Sequence, residues 1–230
     1  MSWGEVFKIN SNMKRPINEQ LRDMKFQPIR VITTTNPYVP EKNGIYKVIC
    51  VGAGGNGGYT NGYSYTAGAG GGGGGVAIKT MRLSKSTTYN VTINTSSTSF
   101  KDTSITLTAN CGNAASGSTP GTGGTATGGD SNYTGQTGGK YEEGYAFPQG
   151  GSVGVYISDL YREIQGTATV GEDIQGYTKE SCAYTYGGSL LSYGGGGTGA
   201  GFFNYSESHG GTTIKGLPGA VIVIPLEMEE

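Results

Sequence analysis

Charged side chains and histidine are scarce in this chain of 230 residues. Only 14% of the residues are charged, the formal net charge is -1, and there is one histidine. Proteins that hold nucleic acids through the phosphate backbone need a concentrated basic surface. The composition does not supply such a surface, so we do not expect a nucleic-acid partner.

Cysteine is also scarce, since the chain contains only Cys50, Cys111 and Cys182. An odd number without close spacing predicts neither a disulfide framework nor a zinc site. Cys50 lies within VICV, where we expect a small buried apolar residue. The one histidine, His209 in SESHGG, is typical of a solvated loop residue, and no G-x-S-x-G elbow accompanies it. We therefore expect no metal, no cofactor and no enzymatic activity.

Long apolar runs are missing as well. The N-terminal sequence MSWGEVFKINSNMKR lacks the apolar centre of a signal peptide, and no run approaches the about 20 residues of a membrane-spanning helix. We expect a chain that is made in the cytoplasm and does not insert into a membrane.

Glycine and tyrosine, in contrast, are abundant, with 44 and 16 residues. Most glycines lie in three stretches, Gly52–Gly75, Gly112–Gly154 and Gly187–Gly216. A glycine-rich composition without a triplet period is also typical of disordered chains. Runs rich in Val, Ile, Thr and Tyr argue against disorder here and predict an all-β fold. These runs are Ile45–Val51, Val76–Leu83, Thr88–Asn94, Ser104–Ala109 and Ala220–Leu226.

The pattern within these runs predicts how the strands are covered. Ile45–Val51 is apolar on both faces, which indicates a buried strand. Val76–Leu83, TYNVTIN and TSFKDTSITLTA are predicted to form an antiparallel meander. Gly52–Gly57 matches the G-x-G-x-x-G fingerprint after a strand. No helical period and no acidic residue follow at the required spacing, so we do not predict a dinucleotide site.

Residues 1–40 differ from the rest, and we predict that they attach or oligomerise a glycine-rich domain of residues 41–230. Ser11 or Asn12 is a candidate cap for a short helix over about residues 12–24, which would carry a narrow apolar stripe. The alternative is an arm folded back on its own domain. The candidate attachment and oligomerisation residues are Trp3, Phe7, Met13, Ile17, Leu21 and Met24.

The order of motifs resembles the glycine-rich domain of bacteriophage tail-fibre and adhesin proteins. It runs from VICVGAGGNGG through a pure glycine run into VAIKTMRL, then TYNVTI, ITLTANCG and long glycine loops, and ends in GLPGAVIVIPLE. The opening MSWGEVFKINSNMKRPINEQLRDMKF is similar to the N-terminal piece of tail-fibre-like proteins from phages, or phage-like particles, of clostridial bacteria. The sequence departs from the simplest family pattern in an insertion at about residues 130–186.

The resemblance implies a trimeric or otherwise homo-oligomeric virion protein that contacts the host surface while its N-terminus joins other tail or baseplate proteins. It also implies a β-sandwich-like domain whose glycine segments pack as a polyglycine II layer. Exposed aromatic residues on glycine loops are common contacts for saccharides and proteins. The candidate receptor-binding residues are Tyr133, Tyr141, Tyr145, Phe147, Phe202, Phe203 and Tyr205.

Three hypotheses for the function follow. The first is a receptor-binding virion protein that contacts a host glycan or protein through these loops. The second is a structural tail or baseplate component without receptor binding. The third is a depolymerase of envelope polysaccharide, for which carboxylate pairs such as Asp159 and Glu163 would have to come together in space.

Overall fold

The computed structural model describes residues 29–58, 68–140, 193–194 and 215–229. In these residues the chain forms strands and no helix, so the all-β prediction is confirmed. The strands are β1 (Arg30–Ile32), β2 (Asn36–Tyr38), β3 (Gly44–Val51), β4 (Val76–Leu83), β5 (Tyr89–Ile93), β6 (Ser97–Lys101), β7 (Thr106–Asn110), β8 (Ala126–Thr127), β9 (Ser131–Tyr133) and β10 (Ala220–Met228).

The strands form two antiparallel sheets of five. The first sheet has the order β1-β10-β3-β4-β9, and the second has the order β2-β5-β6-β7-β8. β1 and β2 fall within residues 1–40 and pair with β10 and β5, so this part of the N-terminal segment is built into the sheets. The predicted helix at about 12–24 and its stripe, together with Trp3 and Phe7, lie outside the described residues.

The predicted meander is wrong in one respect, because β4 does not lie beside β5. β4 pairs with β3 along its whole length, and the turn at Ser84–Thr87 then carries the chain into the second sheet. The physical reason is that β4, like β3, presents apolar residues to both faces of its sheet, Ala77 on one and Val76 on the other. A strand that needs cover on both sides is most stable beside another such strand.

The run TSFKDTSITLTA contains parts of two strands, β6 and β7. Asp102 separates them, since its Oδ1 accepts hydrogen bonds from the backbone N–H groups of Ser104 and Ile105, both at 2.7 Å. An aspartate that bonds to the backbone two or three residues ahead is a strong turn signal. Ile105, Leu107 and Ala109 alternate in the sequence and are expected to share a face. Leu107 and Ala109 are fully buried, and Ile105 packs partly buried against the same core.

The main core lies between the two sheets. Its largest members include Tyr46, Phe100 and Leu107, and the ring of Phe100 stacks on Tyr89 with ring centroids 5.0 Å apart. Fully burying a side chain of this size stabilises the fold by about 1.5–3 kcal/mol. Cys50 is fully buried in this core, as expected, and burial raises the pKa of its thiol.

A second apolar cluster covers the other face of the first sheet. It contains Ile49, Val51, Val76, Ile222 and Ile224, all buried. Ile49 and Val51 alternate with Val48 and Cys50 of the main core along β3. The prediction that this strand is apolar on both faces is therefore confirmed.

The glycine-rich segments all join one end of the sandwich. β3, β7 and β9 run into them at residues 52, 111 and 134, while β4, β8 and β10 emerge from them at residues 76, 126 and 220. At the opposite end, Gly44 pairs with Met228, and Glu229 donates to the carbonyl of Asn43. The molecule therefore has two different ends.

Candidate functional site

The glycine-rich segments pack into one body, which we call the glycine bundle. It comprises residues 52–58, 68–75, 111–117, 120–125, 134–139, 194 and 215–219. Residues 68–75 form its central segment, and every one of them is buried. Apart from Ala69, this segment has no side chains, so the centre of the bundle consists almost entirely of backbone.

The central segment bonds to its neighbours at every third residue. Three of its N–H groups donate to carbonyls of residues 110–117. Ala69 donates to Gly117, Gly72 donates to Asn113, and Gly75 donates to Asn110. The carbonyls of the same three residues accept from Gly58, Gly55 and Gly52. These three residues therefore bond to one segment, 110–117, through their N–H groups and to another, 52–58, through their carbonyls.

The next set along the central segment bonds to two further neighbours with the same repeat. Gly70 and Gly73 donate to Gly139 and Gln136, and they accept from Gly121 and Gly124. A three-residue repeat is that of the left-handed threefold helix, which has no internal hydrogen bonds and leaves its backbone groups for neighbours. This repeat is the one that packing of the polyglycine II type requires.

The neighbours of the central segment run in both directions. The segments 52–58 and 111–117 leave the sandwich, as does 134–139, whereas 120–125 returns to it alongside the central segment. The pair 52–58 and 111–117 is itself parallel, with Gly112 donating to Ala53 and Ala115 to Asn56. Threefold segments accept neighbours of either direction because their backbone groups point outward on all sides.

Close approach of the backbones explains why the central residues are glycine. A Cβ on Gly72 would lie 2.0 Å from the carbonyl oxygen of Thr122, and one on Gly74 would lie 1.9 Å from that of Gly52. In glycine a Cα–H bond points at that oxygen instead, which is the geometry of a weak C–H···O contact. Any side chain here would push the segments apart.

One surface of the bundle carries a regular polar pattern, which we call the polar row. It is formed by the hairpin of residues 110–125, whose two arms meet at a turn around Gly117. Gly117 adopts a φ of 54°, which is the left-handed conformation that glycine tolerates best. Every third residue of the hairpin belongs to the row: Asn110, Asn113, Ser116, Thr119, Thr122 and Thr125.

The residues of the polar row face each other in pairs across the hairpin. The amide Nδ2 of Asn110 donates to Thr125 Oγ1 at 2.8 Å, and that of Asn113 donates to Thr122 Oγ1 at 2.6 Å. Ser116 and Thr119 form the third pair through mutual backbone bonds. With a rise of about 3.1 Å per residue, the pairs are about 9 Å apart and the row is about 19 Å long.

The polar row retains hydrogen-bonding capacity toward solvent. In each Asn–Thr pair the amide uses one of its two N–H groups, so the second N–H, the amide oxygen and the threonine O–H remain. The side chains of Asn113, Thr122 and Thr125 are exposed. The row can therefore donate and accept at regular intervals on a rigid backbone.

Sequence reasoning treated residues 110–125 as glycine loop and missed the row. The signal was present as N-x-x-N-x-x-S-x-x-T-x-x-T-x-x-T, a polar residue at every third position. Only a threefold backbone brings such residues onto one side, whereas a strand would alternate them between faces. Recognising the pattern required knowledge of the backbone conformation.

The predicted aromatic contacts are placed only in part. Tyr133 lies on β9 at the sandwich end of the bundle, half-buried against the second apolar cluster. The other candidate residues, Tyr141, Tyr145, Phe147, Phe202, Phe203 and Tyr205, lie outside the described residues. The segment 134–139 separates Tyr133 from the outer end by about 19 Å. The contact role of all seven stays a prediction.

The outer end of the bundle is where two of the tyrosine-containing stretches begin. Gly58 directly precedes residues 59–67, and its N–H donates to the carbonyl of Ala69. Gly139 lies two residues before residues 141–192, and its carbonyl accepts from the N–H of Gly70. The turn at Gly117 lies at the same level, because Ala69 donates to its carbonyl. The bundle thus brings two chain exits and one turn together at the end farthest from the sandwich.

A cleft of about 270 Å³ lies at the side of the sandwich, bordered by β1, β2 and β10. Tyr38 and the ion pair of Arg30 with Glu41 line it, and burial raises the pKa of Tyr38 to about 12. Within the described ranges no group of three His, Cys, Asp or Glu residues could hold a metal ion, and no helix is long and apolar enough to cross a membrane.

No protein-family model matches the chain, and no curated protein is significantly similar to it.

Proposed function

We propose that the protein is a receptor-binding component of a bacteriophage tail, without enzymatic activity, that contacts the host cell surface. The observation that carries this proposal is the polarity of the molecule. The sandwich lies at one end and the glycine bundle at the other, with two tyrosine-containing stretches starting at the outer end. This arrangement supports a division between attachment and contact.

The bundle suits the presentation of binding residues. Its central segment is buried and bonded at every third residue, so the chain exits at Gly58 and Gly139 and the turn at Gly117 are held at fixed distances. Contact residues on a rigid scaffold lose less conformational entropy on binding than residues on mobile loops. Aromatic and small polar residues at such exits match the composition of known binding loops.

The other end suits attachment to the virion. β1 runs toward the bundle. Its first residue, Arg30, pairs with Val223, and its last residue, Ile32, pairs with Val221, which is nearer to the point where β10 leaves the bundle. The N-terminal end of β1 therefore faces away from the bundle. We propose that residues 1–40 join other tail or baseplate proteins and assemble a homo-oligomer, a trimer, with Trp3, Phe7, Met13, Ile17, Leu21 and Met24 in the contact.

The first test is binding of labelled protein to a panel of candidate host cells, with the solution mass measured on the same sample. We expect saturable, strain-selective binding by an oligomer. Replacing Tyr141, Tyr145 and Phe147 with Ser, or Phe202, Phe203 and Tyr205 with Ser, should weaken binding and leave the melting temperature within a few degrees.

The matched control replaces Lys101 and Thr103 with Ser at the β6–β7 turn, where both residues are exposed at the end away from the bundle. This control should bind like the parent protein. A folded oligomer that binds no cells would instead favour a structural tail component. Loss of envelope polysaccharide over time would favour a depolymerase.

A further inference from the structure

We infer that the polar row is a binding site for an extended, neutral saccharide chain. This inference rests on the proposed function and names the ligand class that the protein would meet at the host surface. It adds a contact on the side of the glycine bundle to the proposed contacts of the aromatic residues in the loops. Its basis is the spacing, exposure and chemistry of the residues from Asn110 to Thr125.

The spacing of the row suits a polymer. Its three pairs lie about 9 Å apart, which is close to the length of a disaccharide unit in an extended glycan, and the row is about 19 Å long. An isolated polar pair offers one contact, whereas a periodic row offers the same contact to each repeat of a periodic ligand. Several linked contacts of this kind increase the overall affinity without any of them being strong.

The chemistry of the row selects a neutral, hydroxyl-rich ligand. Residues 110–125 include no charged and no aromatic residue. Protein interfaces depend on Trp, Tyr and Arg anchors, and anionic polymers require Lys or Arg, so neither class of ligand is favoured here. Amide and hydroxyl groups both donate and accept, which is what sugar hydroxyls require of their partners.

The row is also held in place before a ligand arrives. Nδ2 of Asn113 and Oγ1 of Thr122 are 2.6 Å apart, and the backbone N–H of Asn113 donates to the carbonyl of Thr122 beneath them. That carbonyl also lies against Gly72 of the central segment. The side chains therefore have little rotamer freedom left to lose, which lowers the cost of binding.

The test measures binding of cellohexaose, chitohexaose and the corresponding disaccharides to the whole protein by calorimetry. Envelope polysaccharide released from a strain that binds the protein is the fourth probe. We expect at least one hexasaccharide or the polysaccharide to bind, and the disaccharides to bind more weakly because they span one pair. The double variant Asn113→Ala, Thr122→Ala should weaken this binding about tenfold.

Two further variants control for folding and for position. Thr122→Val keeps the branched shape and removes only the hydroxyl, so it replaces the double variant if that one is unstable. Thr134→Ala with Thr137→Ala removes exposed hydroxyls from the adjacent segment, outside the row, and should leave binding unchanged.

The inference is overturned if none of the probes binds, if the row variants bind like the parent protein, or if the Thr134 and Thr137 control loses binding equally. Cell binding separates this result from the proposed function. If the row variants still bind cells strain-selectively, the proposed function stands and the polar row is not the binding site. If the protein binds saccharide but no cells, the polar row stands as a saccharide site and the proposed function is refuted.

Discussion

The sandwich and the glycine bundle have cores of opposite construction. In the sandwich, rings and aliphatic side chains such as Phe100 and Leu107 fill the space between two sheets. In the bundle, the buried central segment packs backbone against backbone, and its N–H and C=O groups bond to the surrounding segments. The first core depends on removing apolar surface from water, and the second depends on hydrogen bonds and close contact.

The two cores should respond to opposite changes. A core of side chains is weakened most when atoms are removed, because a cavity remains. A core of backbone is weakened most when atoms are added, because the segments cannot approach. Substitutions of each kind therefore test whether the comparison holds.

The largest effect is expected from Gly72→Val. Its Cβ would lie 2.0 Å from the carbonyl oxygen of Thr122, and the oxygen belongs to backbone that is held on both sides. We expect a loss of about 4 kcal/mol or more in the free energy of unfolding, measured by urea denaturation. Amide exchange should rise in residues 68–75 before it rises in β6 and β7. Unchanged stability would show that the segments separate easily.

Phe100→Ala should have the next largest effect. The ring is fully buried, stacks on Tyr89 and lies 6.2 Å from the ring of Tyr38. We expect a loss of about 3–4 kcal/mol, since the cavity is enclosed by both sheets. The same urea titration measures it, with Lys101→Ala as an exposed control on the same strand. Faster exchange in the bundle alone would contradict the assignment of this ring to the sandwich core.

Gly117→Ala isolates backbone strain from close packing. This glycine has a φ of 54°, and a Cβ there would meet nothing within 4 Å. We expect a loss of about 1–2 kcal/mol, smaller than at Gly72, because only the left-handed conformation is penalised. Differential scanning calorimetry of Gly117→Ala and Gly72→Val in the same buffer measures the difference. A cost equal to that of Gly72→Val would mean that conformation, not contact, selects glycine in the bundle.

The smallest effect concerns the turn that links β8 to β9. The carboxylate of Asp130 accepts hydrogen bonds from Lys79 Nζ at 2.8 Å and from the backbone N–H of Thr80 at 2.9 Å, and these lower its pKa. A lowered pKa in the folded state gives stability that is present above the unfolded value of about 3.9 and is lost as the pH falls through the folded value. Melting temperatures between pH 6 and pH 3 should fall less steeply for Asp130→Asn. Parallel profiles would refute this.

The sandwich was largely predictable from the sequence, because its signals are local. The bounds of β4, Val76–Leu83, follow from a run of β-branched and apolar residues, and β10 begins at Ala220 as expected. The partner of β4 was not predictable in the same way. The pattern shows which faces need cover, and several pairings provide it.

The neighbours within the bundle could not be predicted, because glycine carries no side chain to indicate what it packs against. Gly70 and Gly72 are the same residue type in the same glycine run, yet their N–H groups donate to carbonyls on different segments, those of Gly139 and Asn113. The polar row was visible only as a period of three, which has no meaning until the backbone is known to be threefold. The contact role of the aromatic candidates remains a prediction from composition and resemblance.

A bundle whose centre is backbone has a consequence for how the protein changes over generations. In a core of side chains, one substitution commonly requires a second to restore the packing. The segments of the bundle bond to the central segment as far as Gly58 and Gly139, and these bonds are made by backbone groups that do not depend on the side chains beyond them. Stretches such as residues 59–67 and 141–192 can diverge, lengthen or be exchanged between related chains while the same scaffold is inherited.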